Sequence, residues 1–323
     1  MTALRLPSDR WHLAEVGFWL TPVACFFLFP GYHVLGSQIL IVGLFALSLD
    51  IIMGYTGIVS LGHAAFFGIG AYTAGLLAKH GWGEPFSGLL FAMLVSALFG
   101  FLTSFLVVRG QELVRLMVTL GIGLLVFEGA NKAAFITGGV DGLIGVTMWK
   151  IFGVFRFDFR GYNGYLYTLG VVFAVFLLVR RIIHSPFGLR LRGVRESRAR
   201  MPMIGASVRR IEVSVFTFSA GVAGIAGGLL AQTTQFVGLD TLSFARSAEL
   251  LIILVFGGRG HLYGGLIGAA VYMLARDWLA GLNPTYWQFW LGLLLVLMVL
   301  VARGGIMDGL ALIQRRLNRP AAA

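Results

Sequence analysis

Glu249 stands in an apolar run, Ser247-Ala-Glu249-Leu-Leu, and Asp50 closes another. A carboxylate at membrane depth is costly unless it faces a cavity or a partner, so both are candidates for lining a polar path. Asp50 is equally open to an interfacial reading. Glu128 and Lys132, four residues apart, are spaced to pair across one helical turn. Arg276 and Asp277 are adjacent and read as interfacial. The stretch Gly54-Tyr-Thr-Gly57-Ile-Val-Ser60-Leu-Gly62-His63-Ala-Ala-Phe66-Phe-Gly68-Ile-Gly70-Ala-Tyr72 is too rich in glycine for an uninterrupted helix. A break and restart there puts Ser60 and His63 near a helix start, where backbone N–H groups can meet the carboxylate or carbonyl of a passing solute. Phe66 joins them as a path candidate. The alternative is close helix packing through Gly68 and Gly70, with His63 as a structural hydrogen bonder.

Energy-coupling and catalytic motifs are missing. A phosphate-binding loop needs Gly-Lys followed by Ser or Thr, and the three lysines, Lys79, Lys132 and Lys150, follow Ala78, Asn131 and Trp149. No Gly-x-Ser-x-Gly elbow or His-Glu-x-x-His helix occurs, and the six histidines are scattered. The residues predict no catalytic set, no metal site and no enzyme. The one cysteine, Cys25, excludes a disulfide within the chain.

The elements that must hold these side chains are membrane helices. Of 323 residues, 58% are hydrophobic and 12% charged, half the charged share of an ordinary soluble domain, and mean hydropathy is +0.87. So much apolar surface is accommodated by a bilayer, where helices satisfy their own backbone. Apolar windows predict about ten spans, near 14–30, 35–53, 58–79, 86–108, 112–136, 163–183, 211–235, 243–257, 260–280 and 286–303. Residues 14–30 read as a retained span rather than a cleaved leader. The windows 112–136 and 243–257 are candidates for broken or re-entrant elements. The net charge of +11 reflects topology rather than nucleic acid, since nine arginines fall between Arg180 and Arg210. That segment is expected on the cytoplasmic side with Arg109, Arg115, Arg259, Arg303, Arg315, Arg316, Arg319 and both termini. Residues 137–162, with Lys150, Arg156 and Arg160, are then expected outside.

A shift of 198 residues aligns Gly62-His63 with Gly260-His261 and Ile69-Gly70-Ala71 with Ile267-Gly268-Ala269, which suggests an internal repeat, parallel or inverted. Gly224 with Gly228 and Gly264 with Gly268 have the Gly-x-x-x-Gly spacing that seats one helix against another. In the basic segment, Pro186 and Gly205 bracket a short amphipathic element. Its Leu189, Leu191, Val194, Met201, Met203 and Ile204 supply apolar contacts among Arg190, Arg192, Arg195 and Glu196. That composition suits docking to a soluble partner better than lying on lipid.

With these residues in view, the chain resembles the membrane subunits of branched-chain amino acid ABC importers, as the second permease of the Liv-type pair. The resemblance rests on Gly54–Tyr72, Ser185-Pro-Phe-Gly-Leu-Arg190, the Gly- and Ala-rich Ser219–Ala231, and Ser247-Ala-Glu-Leu-Leu leading to Gly257-Gly-Arg-Gly260. It implies a single all-α polytopic domain over residues 1–323 in a bacterial inner membrane. It also implies a second related permease, two cytoplasmic ATP-binding subunits that hold ATP and Mg²⁺, a periplasmic solute-binding protein, and no cofactor on this chain. The family's coupling helix maps onto Gly188–Gly205 within the loop 184–210, with Gly188, Arg190, Arg192, Val194, Arg195, Glu196 and Gly205 as its contact residues. Here Glu196 is followed by Ser197, Arg198, Ala199, Arg200, Met201 and Pro202, a more basic surface than the family pattern. The implied cargo is a branched-chain amino acid or a related polar solute such as urea, a short amide or an aromatic acid. The rival from the residues alone is a self-sufficient secondary transporter or channel using Glu249 or Asp50 as an ion site.

Overall fold

The computed structural model describes residues 13–150, 155, 161–301, 305–307 and 309. The expectations for Arg156, Arg160, Arg303, Arg315, Arg316, Arg319 and both termini fall outside these residues. The apolar runs become helices: α1 (Leu13–Leu28), α2 (His33–Thr56), α3 (Ala64–Lys79), α4 (Pro85–Val107), α5 (Glu112–Lys132) and the short α6 (Ala134–Thr137). After them come α7 (Tyr162–Ile183), α8 (Pro186–Glu196), α9 (Val208–Thr234), α10 (Phe244–Gly257), α11 (Gly264–Leu282) and α12 (Trp287–Val301).

Among the described residues, six of these, α2, α4, α5, α7, α9 and α11, are long and apolar enough to cross a bilayer. With the shorter apolar helices α1 and α3 beside them, they form the polytopic helical bundle that the sequence predicts. In the window suspected of a break, α5 runs unbroken from Glu112 to Lys132, then the backbone leaves the helix at Ala133 and the short α6 follows. Glu128 and Lys132 on α5 are both exposed and, among the described residues, form no ion pair. The window 58–79 is split: Gly57, in the left-handed region at φ +79°, ends α2, and a helix resumes only at Ala64. α10 has 14 residues, about 21 Å of helix, too short to cross alone.

The two short helices explain the design. α9 ends at Gln235 (φ +53°), and an irregular segment leads to Ser243, whose side chain caps α10 by accepting from the Arg246 N–H at 3.2 Å. The starts of α3 and α10 meet, the Ala64 N–H donating to Ser247 Oγ at 2.9 Å. His63, just before α3, reaches Ser48 in α2, and Ser219 in α9 donates to the Ser48 carbonyl at 2.5 Å. Since α2 and α9 are about 36 and 40 Å long, this junction lies near the middle of the bundle, and each short helix runs from it to opposite ends.

The contacts reveal two halves. α9 packs on α3 and α4 as α2 packs on α10 and α11, and α5 lies against α3 and α4 as α12 lies against α10 and α11. α2 points toward α8, where Arg195 meets Gly54, while α9 points away from it, its Gln232 bonding the Pro85 carbonyl at the start of α4. The repeat is therefore inverted, α2–α5 against α9–α12, each with a half-helix that begins at mid-depth. The 198-residue register is corrected accordingly: it pairs the start of α3 with that of α11, whereas the contacts pair α3 with α10. What the register detected is a shared local need, glycine at a crowded helix start.

Close approach of backbones holds the helices together, both between the halves and within one. A Cβ on Gly70 would collide with the backbone of Gly224, and one on Gly268 with the backbone of Ile253 and Gly257. Small residues at these crossings replace the hydrophobic driving force that lipid does not supply.

Candidate functional site

Two polar regions stand out, one at mid-depth and one at the α8 end. At mid-depth, Ser60, His63 and Phe66 are all buried. His63 Nε2 lies 2.9 Å from Ser48 Oγ, which itself donates to the Phe45 carbonyl at 2.6 Å. The imidazole stacks on Phe45 at 5.8 Å, and Phe45 in turn stacks on Phe67 at 4.3 Å. The opening N–H groups of α3 are engaged: Ala64 with Ser247, Ala65 with the Gly62 carbonyl, Phe66 with the His63 carbonyl. Ser60 Oγ and His63 Nδ1 have no partner among the described residues.

Beside this junction lies a cavity of about 180 Å³, walled by Ile41, Phe45, Phe67, Leu230 and Met273 with Gln38, and floored by charge. Glu249, one turn into α10, is clamped rather than isolated: Arg246 Nη1 donates to its Oε2 at 3.0 Å and Arg276 Nη1 approaches Oε1 at 3.5 Å. Arg246 also reaches Asp240 at 3.4 Å, and Arg276 lies 5.3 Å over the Trp287 ring. Arg276 is thus not merely interfacial. Arg246, three residues before Glu249, was legible as an i, i+3 partner; Arg276 was not, since only the fold brings α11 alongside. A larger recess, about 720 Å³ along α1, α2, α7 and α11, is lined almost wholly by apolar and aromatic side chains and suits acyl chains.

At the other region, α8 is built by local signals: Ser185 Oγ accepts from the Phe187 N–H at 3.2 Å, and Pro186 occupies the first turn, where its missing donor costs nothing. Leu191 and Val194 turn into the bundle, while Leu189, Arg190 and Glu196 face out. Gly188 is buried where a side chain would strike the Ile183 backbone. Arg195 donates to the Gly54 carbonyl at 2.5 Å, and Arg192 lies over the Tyr55 ring at 5.8 Å. Asp50, fully buried rather than interfacial, accepts from the Gly260 N–H at 2.7 Å. α8, the end of α2 and the α10–α11 turn therefore form one hydrogen-bonded latch. Met201 packs inward, Met203 and Ile204 are exposed, and Gly205 (φ +79°) closes the short turn Met201–Ile204.

A third cluster fixes the segment after α8. Glu212, buried in α9, is bonded by Arg115 of α5 at 3.1 Å and by Arg198 at 2.9 Å, while Arg115 also donates to the Gly110 carbonyl at 2.8 Å. Nothing in the sequence marked Glu212. Of the remaining packing candidates, Gly68 faces the Leu242 side chain, Gly228 faces Leu89 and Ala92, and Gly264 abuts Gly257 and Gly258.

An inverted repeat of helices with half-helices meeting at mid-depth is a transporter's architecture. Residues 35–302 match the family described as branched-chain amino acid transport system / permease component. The chain belongs to that family. It is 31% identical to the high-affinity branched-chain amino acid transport system permease protein LivM of Escherichia coli and to that of Salmonella typhimurium, over 81% of this chain. These matches span 66% of each relative's length. A probable branched-chain amino acid transport permease protein LivH of Methanocaldococcus jannaschii is 26% identical, over 72% of this chain and 75% of the relative. No solved structure matches this chain. Membership of a permease family with these apolar helices makes the chain a multi-pass membrane protein.

Proposed function

We propose that this chain is one of two related permeases of an ATP-driven importer for branched-chain amino acids or a similar small polar solute. The observation that carries this reading is the latch. A short amphipathic helix buries Leu191 and Val194 in the bundle, is bonded through Arg195 to the end of α2, and leaves Arg190 and Glu196 exposed for a soluble partner. A push on α8 is delivered to α2 and, through Asp50 and Gly260, to the start of α11, one helix of each half. Such a handle has a use only if force arrives from outside the chain, and the chain carries no phosphate-binding loop of its own. The ATP and Mg²⁺ belong in this reading to two separate subunits docked on residues 184–210.

The side carrying α8 is then cytoplasmic, in keeping with its arginines, and a soluble binding protein delivers solute to the opposite face of the inner membrane. A second permease fits α5, the least buried of the helices long enough to span. Its exposed Glu128 and Lys132 are poor neighbours for lipid and call for a protein or aqueous surface against them. The test is purification of the tagged chain from its native membrane with mass spectrometry of what accompanies it. Recovery of a second permease and two ATP-binding proteins is expected; recovery of the chain alone, stable and monodisperse, overturns the reading in favour of a self-sufficient transporter.

A further inference from the structure

We infer that the cavity between α2, α10 and α11 is a subsite for a zwitterionic α-amino acid with an aliphatic side chain, its carboxylate taken by Arg276 and its ammonium by Glu249. The inference deepens the transport reading and rests on it. At about 180 Å³ the cavity is below the range of roughly 300–1,000 Å³ typical of drug-sized ligands, so it holds a small solute.

The inverted repeat supplies the argument that the charges are not there for the fold. His63 before α3 corresponds to Ser243 before α10, so Arg246 and Glu249 correspond to Phe66 and Ile69. The α3 half is built on apolar residues at both places. Charges inside a membrane bundle are expensive, and those that the architecture does not require mark function.

Their arrangement also defines the ligand class. Arg246 is held doubly, by Glu249 at 3.0 Å and Asp240 at 3.4 Å. Among the described residues, Arg276 has the longer 3.5 Å approach to Glu249 and the face of Trp287. A bound carboxylate that draws Arg276 away frees Glu249 Oε1 to accept from an ammonium, so each new charge finds its opposite and none is left unpaired. A ligand bearing one charge breaks the Arg276–Glu249 contact and leaves the cluster of Arg246, Glu249, Asp240 and Arg276 with an unbalanced net charge. The facing wall of Ile41, Phe45 and Met273 has aliphatic and aromatic surface for a branched side chain. Phe45 reaches on to His63, so a side chain seated there touches the junction of the two half-helices.

The test is equilibrium binding of radiolabelled L-leucine to the purified full chain with its copurifying partners, without any soluble binding protein. Saturable binding is expected, displaced by L-valine but not by 4-methylpentanoate or 3-methylbutylamine, which each carry one of the two charges. Glu249→Gln weakens it by about tenfold or more, the worth of a charge-assisted hydrogen bond. Val42→Trp, which fills the cavity from α2 without touching a charge, abolishes it while leaving the protein's melting temperature in place. Leucine binding that is unchanged in both variants, or displaced equally well by 4-methylpentanoate, overturns the subsite. Leucine uptake by cells carrying the unaltered protein separates the two claims: uptake present with an unaffected cavity variant sinks the subsite alone, and absence of amino-acid uptake sinks the transport reading beneath it.

Discussion

Replacing Glu212 by Gln tests the cluster that pins the segment after α8 to the bundle. The side chain of Glu212 is 1% exposed and that of Arg115 is 7% exposed, so the substitution leaves a guanidinium buried without its counter-ion, with the carbonyls of Gly110 at 2.8 Å and Val108 at 3.4 Å as neutral acceptors. Removing one partner of a buried pair costs about 3–5 kcal/mol, because the remaining charge keeps its desolvation penalty and loses its counter-ion. An amide can still accept one hydrogen bond, so the low end, about 3 kcal/mol, applies here. Arg198 contributes differently: its side chain is 47% exposed and solvent screens it, so Arg198→Gln costs about 1 kcal/mol or less. The double replacement Arg115→Met with Glu212→Leu removes both buried charges and recovers most of the loss. The assay is unfolding of the purified protein in mixed micelles of rising SDS fraction, followed by circular dichroism. Equal losses for Glu212→Gln and Arg198→Gln, within about 0.5 kcal/mol, refute the reasoning.

Further expectations follow from the latch and the crossings. Asp50→Asn keeps an acceptor for the Gly260 N–H, whereas Asp50→Ala leaves that donor unmet; uptake in membrane vesicles falls with the alanine and survives with the asparagine. Arg195→Glu loses the bond to Gly54, so uptake disappears while membrane insertion and expression, read by immunoblot, are retained. Gly70→Ala forces α3 away from the Gly224 backbone and lowers stability by about 1–3 kcal/mol in the same micelle titration, the cost of overpacking. Tyr167→Phe removes the 2.9 Å bond to Gln232 Oε1 and costs about 1 kcal/mol.

Hydropathy placed the apolar runs well, since a helix in lipid needs little beyond length and apolar composition. The break before Ala64 was legible because Gly57 and Gly62 cannot sit comfortably inside a helix, and α10 was legible as too short. The inverted repeat was not legible: α3 and α10 are equivalent by what they pack against, and their residues differ at the very positions, Phe66 and Ile69 against Arg246 and Glu249, that make the halves unlike. The partners of Asp50, Glu212 and Glu249 were hidden for a simpler reason. Gly260, Arg115 and Arg276 lie on other elements, and only helix packing across the chain brings them within hydrogen-bond reach. The start of α8 was readable because Pro186 and the amphipathic spacing are local signals, but its end was not: the helix stops at Glu196, and the expected span to Gly205 is completed by a separate short turn, Met201–Ile204.

The central claim is that external ATP hydrolysis acting on α8 drives solute through this bundle. Its most direct measurement is leucine uptake into proteoliposomes holding the chain with its copurified subunits, ATP sealed inside and the soluble binding protein outside. The account predicts uptake that requires ATP and vanishes with Arg195→Glu while ATP hydrolysis continues. Uptake that proceeds without ATP, driven by an ion gradient alone, contradicts it.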